Sequence, residues 1–212
     1  MFGRFSLTDI LWNLAVIIPA LTVHEFSHGA AAYLLGDRTA KYDGRLSLNP
    51  IRHIDWVGLI AMVLFGFGWA KPVMVNPGRF KNPKTDMALT AAAGPVANIV
   101  FSIILIFLWM PMSIFTSGTG ASGWITEFLF RCISINLGLG FFNLIPIPPL
   151  DGSKIFGVFL PENLYFRFTQ MGQFGMILLI VLLYMGFIND IIYPLINMTF
   201  TGIRGAAFNL YT

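Results

Sequence analysis

Apolar residues run almost unbroken along four stretches of the chain: Ile10 to Leu35, Met87 to Met112, Trp124 to Ile147 and Gly172 to Ile192. A helix needs about 20 apolar residues to cross a bilayer core of about 30 Å, so each stretch predicts one transmembrane helix. A fifth, "WVGLIAMVLFGFGW" from Trp56 to Trp69, is short and ends in Gly-aromatic alternation, and it reads as a re-entrant or fifth membrane element. "KYDGRLSLNP" and "AKPVMVNP" alternate apolar and polar residues around Gly and Pro, which predicts short strands. Backbone that is neither helix nor closed barrel is tolerated at membrane depth only where it is buried in protein or faces water. The strands are therefore expected to border a hydrated cavity. The expected class is an all-α polytopic membrane protein with about four long helices, one short membrane element and small cytoplasmic-side β-strands.

Composition agrees: 56% of the 212 residues are hydrophobic and 11% charged, where a soluble domain carries about 25% charged residues. Eight of the 13 Lys and Arg lie between the first two spans (Arg38, Lys41, Arg45, Arg52, Lys71, Arg79, Lys81, Lys84), and none lies in Pro111 to Gly123. By the positive-inside rule the basic loop is cytoplasmic, which puts the carboxyl end of the first span inside. The formal charge of +3 is loop asymmetry, and no free-standing basic helix suggests a nucleic-acid partner. The first apolar run is interrupted by Pro19, His24, Glu25 and His28 and lacks a small-residue cleavage site, so it is expected to stay as a span. The whole chain, 1–212, reads as one integral-membrane domain, with a core over about residues 10–155 and an extra span and tail over 156–212. Cys132 is alone, so any metal site must be built from His and carboxylates.

"TVHEFSHGAA" places ionisable side chains inside the first span, where each is costly unless paired or metal-bound. His24 and His28 are one helical turn apart on one face, close enough to share a cation, and Glu25 lies about 100° round. This is H-E-x-x-H, in which two His bind zinc and the Glu acts as general base. A catalytic zinc takes a third protein ligand, and the candidates are His53, Asp55, Glu127, Asp151 and Asp190. Asp151 follows "FFNLIPIPPL", where prolines break the third span at its cytoplasmic end; the HEFSH turn lies towards the same side. In "AAAGPVAN" the small residues allow close helix approach, and Asn98 is the residue able to hydrogen-bond a ligand or substrate backbone.

"HEFSH", "GPVAN" and "NLIPIPPLDG", in that order from about residue 20 to 155, resemble the site-2 protease family of intramembrane zinc metalloproteases. The resemblance implies one zinc ion per chain on His24, His28 and Asp151, with Glu25 as the base and Asn143 steadying the substrate carbonyl oxygen. His53, in "LNPIRHIDWVG", resembles a feature of short bacterial members and is expected to gate substrate or contact the metal conditionally. Lacking a span before H-E-x-x-H and room for a PDZ or sensor domain, the chain resembles the short bacterial form. The implied activity is hydrolysis of peptide bonds in or near transmembrane segments of single-pass substrates, in the lipid bilayer of a bacterial cytoplasmic membrane, with the site towards the cytoplasm. An unwound substrate segment is expected to add to the edge offered by "GWAKPVMVNP". The competing readings are a metal-ion transporter and a non-catalytic binder of transmembrane segments.

Overall fold

The computed structural model describes residues 7–65, 70–115 and 120–211. Its helices are α1 (Leu7–Leu34), α2 (Thr39–Tyr42), α3 (Trp56–Phe65), α4 (Pro83–Phe115), α5 (Gly120–Asn143), α6 (Asp151–Gly157), α7 (Glu162–Gln170), α8 (Gly172–Tyr184) and α9 (Phe187–Tyr211), with 3-10 turns at Pro50–Arg52 and Pro77–Arg79. Among the described residues, three helical stretches are long and apolar enough to cross a membrane: Ile10–Leu34, Pro83–Ile114 and Gly123–Asn143.

The central helix is α4, which packs against α1, α5, α6 and α9. Its surface inverts the pattern of a soluble helix. Up to Ser102 the buried positions are mostly small or polar (Ala91, Gly94, Pro95, Asn98, Ser102), while Leu89, Val96 and Val100 are exposed; further along, Leu105, Ile106 and Met110 are buried and Ile104 and Leu108 are exposed. With lipid outside, large apolar side chains gain nothing by burial, and small residues let backbones approach. A Cβ added to Gly140 of α5 would lie 2.8 Å from Ile99 Cγ1 and 3.1 Å from Pro95 O. One core cluster, Leu105, Ile106, Ile133 and Leu137, joins α4 to α5 and takes in Ile196 and Phe200 of α9.

The expected span Gly172 to Ile192 is not one helix. It breaks at Gly186, whose φ of +79° ends α8 before α9 begins. Glycine enters this left-handed region without the Cβ penalty other residues meet, so it stops helices in sequence that stays apolar throughout. The 13 residues of α8 reach about 20 Å, short of a bilayer core. Together with α7 it forms a pair bent by 62° that passes as one broken span, making up to four crossings. Over Trp56 to Trp69, α3 covers 10 residues, too few to cross, and residues 66–69 lie outside the described residues.

The short strands are not formed among the described residues. The stretch 41–50 is instead the end of α2 followed by turns, and 70–76 is open chain pinned to its surroundings by scattered hydrogen bonds. A strand needs a partner ladder, and the donors and acceptors of 70–76 go elsewhere. Lys71 N donates to His53 O at 2.9 Å, and Arg45 Nη1 donates to Lys71 O at 3.1 Å and Pro72 O at 2.9 Å. Asn76 N donates to Asp37 Oδ2 at 2.7 Å. Asp37 is wholly buried just past α1. Burial pushes its carboxyl pKa up, but the N–H of Asn76, the hydroxyl and N–H of Thr39 and the Arg79 guanidinium outweigh that and hold it below the ordinary value.

The chain between α5 and α6 folds as the prolines predict. α5 stops at Asn143, and residues 144–150 turn tightly, with a cis Pro148–Pro149 peptide, before α6 starts at Asp151. Gly175 of α8 lies directly on the Pro148 carbonyl, with no space for a Cβ. Gly175→Ala is therefore expected to cost about 1–3 kcal/mol through overpacking. In detergent this should lower the melting temperature by about 2–4 °C per kcal/mol; an unchanged melt would mean that α8 does not rest on this turn.

Candidate metal centre

Three helices bring the site together. α1 carries His24 and His28 on one face, α6 begins with Asp151, and α4 backs both. His24 Nε2 and His28 Nε2 are 3.0 Å apart, and each lies 3.1 Å from Asp151 Oδ2. All three residues are buried, and among the described residues they are the group of His, Cys, Asp and Glu side chains that could hold a metal ion.

The donor set fits zinc. His24 Nδ1 is 2.7 Å from Asn98 Oδ1, and His28 Nδ1 is 2.8 Å from the Thr90 carbonyl oxygen. Both partners are acceptors, so each Nδ1 carries the proton and each Nε2 keeps its lone pair. Two lone pairs and a carboxylate oxygen then face one another in a buried space, an arrangement that calls for a cation. Zinc bonds of about 2.0–2.1 Å in tetrahedral geometry put ligand atoms about 3.3 Å apart, within a few tenths of the triangle seen here. The other carboxylate oxygen, Asp151 Oδ1, lies 3.5 Å from Lys154 Nζ, which leaves Oδ2 turned to the imidazoles.

Gly94 makes the triangle possible. A Cβ there would lie 2.5 Å from His28 Nε2 and 2.8 Å from His24 Cε1, so the rings occupy the space a side chain would take. Gly152 does the same for Asp151: a Cβ there would collide with the carbonyls of Leu144 and Ile145, so its absence lets the first turn of α6 sit on the proline-rich turn.

A cleft opens beside the triangle, lined by Glu25, Val73, Thr90, Asn143, Asp151 and Lys154 among others. Glu25 Oε2 accepts the backbone N–H of Val73 at 2.8 Å, so the open segment 70–76 is tied to this carboxylate. Asn143, the last residue of α5, lines the cleft and donates from Nδ2 to Leu139 O at 3.0 Å. An apolar cleft lined by Leu21, Phe142, Met176, Leu179 and Leu183 also reaches Glu25 and Asn143, from the α8 side.

The other sequence candidates stand elsewhere. His53 is buried, with Nε2 2.7 Å from Ser47 O, in a small apolar pocket against Ile17, Leu21 and Thr22 of α1, and it does not join the triangle. Asp55 Oδ1 accepts from Val57 N and Gly58 N at the start of α3, Glu127 pairs with Arg131 at 2.7 Å, and Asp190 is exposed in the first turn of α9. Asn98 sits against His24, its Oδ1 2.7 Å from Nδ1. Asn136, which the sequence reading did not single out, contacts Asn98 at 2.7 Å. The available signal was an uncharged amide in mid-span at "SINLG", where a polar group needs a partner.

A family model described as Peptidase family M50 matches residues 109–183. The chain is 38% identical over 198 residues to the provisionally named zinc metalloprotease YwhC of Bacillus subtilis, covering 92% of this chain and 90% of that protein. It is 25% identical over 208 residues to the provisionally named zinc metalloprotease Rip2 of Mycolicibacterium smegmatis, covering 93% of this chain and 74% of that protein. The Regulator of sigma-E protease RseP of Salmonella typhimurium is 37% identical over 117 residues, which are 47% of this chain and 26% of that protein. No solved structure gives a significant match.

Gly94→Ala is expected to empty the site without touching a ligand. Metal analysis of the purified variant should give far less than one zinc per chain, as should Asp151→Ala. Full zinc content in Gly94→Ala would mean that the rings do not lie against this glycine.

Proposed function

The chain belongs to peptidase family M50, the site-2 proteases, and is an intramembrane zinc metalloprotease; from that premise we propose that His24, His28 and Asp151 hold the zinc and that Glu25 is the general base. The observation that carries this is the convergence of two Nε2 atoms and one carboxylate oxygen within 3.1 Å, with Glu25 lining the same cleft.

Zinc on three protein ligands supplies Lewis acidity towards water and the scissile carbonyl. Glu25 takes a proton on a carboxylate oxygen and returns it to the leaving amine. Val73 N–H holds Oε2, which orients the carboxylate and keeps the segment 70–76 beside the cleft. Asn143 has a second amide proton beyond the one given to Leu139 O, and that donor steadies the substrate carbonyl oxygen. His53 acts on the neighbouring backbone: its carbonyl accepts Lys71 N–H, so it gates substrate through segment 70–76.

The substrate is a single-pass membrane protein whose segment unwinds to expose its peptide bonds. The backbone N–H groups of Met74 and Val75 make no hydrogen bond among the described residues, which leaves an edge for an extended chain to join. The basic residues around 38–84 flank the end of α1 that carries His28. This supports a site at the cytoplasmic side of a bacterial cytoplasmic membrane. Residues 1–212 act as one membrane domain with its core over about 10–155. Neither the transporter nor the non-catalytic reading finds an observation that favours it.

Co-expression with a tagged single-pass membrane protein tests the assignment. Glu25→Gln should keep about one zinc per chain and lose about 10²-fold or more in cleavage; cleavage at the wild-type rate would remove Glu25 as base. Val73→Pro deletes the N–H that holds Glu25, so cleavage should fall several-fold at unchanged zinc content. Wild-type cleavage in that variant would show that the tie has no part in the reaction.

A further inference from the structure

Behind the zinc triangle, a chain of amides crosses the bundle from α5 to α1. Asn136 is 1% exposed, in mid-span between Ile133 and Leu137, both wholly buried. Its Nδ2 donates to Cys132 O one turn earlier at 2.8 Å, which turns Oδ1 towards α4. Asn98 Nδ2 donates to that oxygen at 2.7 Å and to Ala20 O of α1 at 3.0 Å, so both its amide protons are used. Asn98 Oδ1 is thereby left facing His24 Nδ1.

We propose that Asn136 is a positioning residue for the zinc site, fixing which way the Asn98 amide faces and through it the tautomer of His24. The inference rests on the ligand set proposed above. A side-chain amide can present either its oxygen or its NH₂ at nearly the same position, and only its partners decide. With the NH₂ turned to His24, Nδ1 would have to accept and the ring proton would move to Nε2. That wrong tautomer has ready partners when no cation is bound, since Nε2 lies 3.0 Å from His28 Nε2 and 3.1 Å from Asp151 Oδ2. A flip would also bring Asn98 Oδ1 against Asn136 Oδ1 and Ala20 O, three acceptors without a proton among them. Ala20 O opposes the flip with one such contact, and Asn136 Oδ1 adds the second and shorter one. An amide between membrane helices is by default a helix-to-helix tie, so the role must be tested by what the metal and the His24 ring report.

The full chain in detergent, compared as wild type, Asn136→Leu and Asn136→Asp, tests this. Zinc affinity comes from chelator competition, and the tautomers of the three histidines come from nitrogen-15 spectra of histidine-labelled protein without metal. Asn136→Leu is expected to bind zinc about 10–100-fold more weakly, as for other partners of ligating histidines, and to show His24 with its proton on Nε2. Asn136→Asp, neutral in this apolar bundle, can give its acid proton to Cys132 O and keep the other oxygen facing Asn98, so its affinity and tautomer should stay close to wild type. An unchanged His24 tautomer in Asn136→Leu, or equal loss of affinity in both variants, would overturn the proposal. His24→Ala separates the two readings: if it binds zinc as tightly as wild type, the ligand set itself is wrong, whereas loss of zinc there with Asn136→Leu unaffected sinks only the role of Asn136.

Discussion

Two imidazole lone pairs and a carboxylate oxygen, each about 3 Å from the others, are buried together in an apolar bundle. Without a cation they repel, and the low dielectric of the surroundings makes that repulsion expensive. Much of the remaining structure serves to hold the three atoms in this relation. Each imidazole has its outer nitrogen committed to an oxygen acceptor, so neither ring can relieve the conflict by turning its proton inward unless a partner lets go.

Close backbone approach does the rest. Gly94 lets α1 lay both rings against α4, Gly140 lets α5 reach α4 close enough for Asn136 to touch Asn98, and Gly152 and Gly175 seat the proline-rich turn between α6 and α8. Each of these glycines is needed for want of a Cβ, since none of the four has a positive φ. Leu89, Val96, Val100, Ile104 and Leu108 of α4 meanwhile face outward, as large apolar side chains can when the solvent is lipid. The break between α5 and α6 also has a use. It ends one helix at Asn143 and starts another at Asp151, so both residues line one cleft.

The segment 70–76 links Glu25 to the polar loops beyond the end of α1. Through Val73 it holds Glu25, through Lys71 it joins His53, and through Asn76 it reaches Asp37 at the end of α1. Anything that displaces this segment changes what Glu25 contacts.

H-E-x-x-H, "GPVAN" and "LDG" were legible because each compresses its chemistry into a few neighbouring residues, and an ionisable group inside an apolar run advertises itself. Hydropathy likewise determined the three long helices, whose apolar runs exceed the bilayer thickness. The break at Gly186 was hidden because apolarity continues through it and only the φ of one residue changes. The strands failed for the opposite reason: alternation is a local pattern, whereas a strand exists only with a partner, and here Arg45, Glu25, His53 and Asp37 took the hydrogen bonds. Among five third-ligand candidates, chain distance could not choose and only the family resemblance named one; the packing of α6 on α4 brings Asp151 to the two histidines and leaves His53 in its own pocket. Composition and motif determined which chemistry this chain carries, because those depend on residue type. Which residues share it was decided in three dimensions, because contacts between residues more than a hundred positions apart are set by packing.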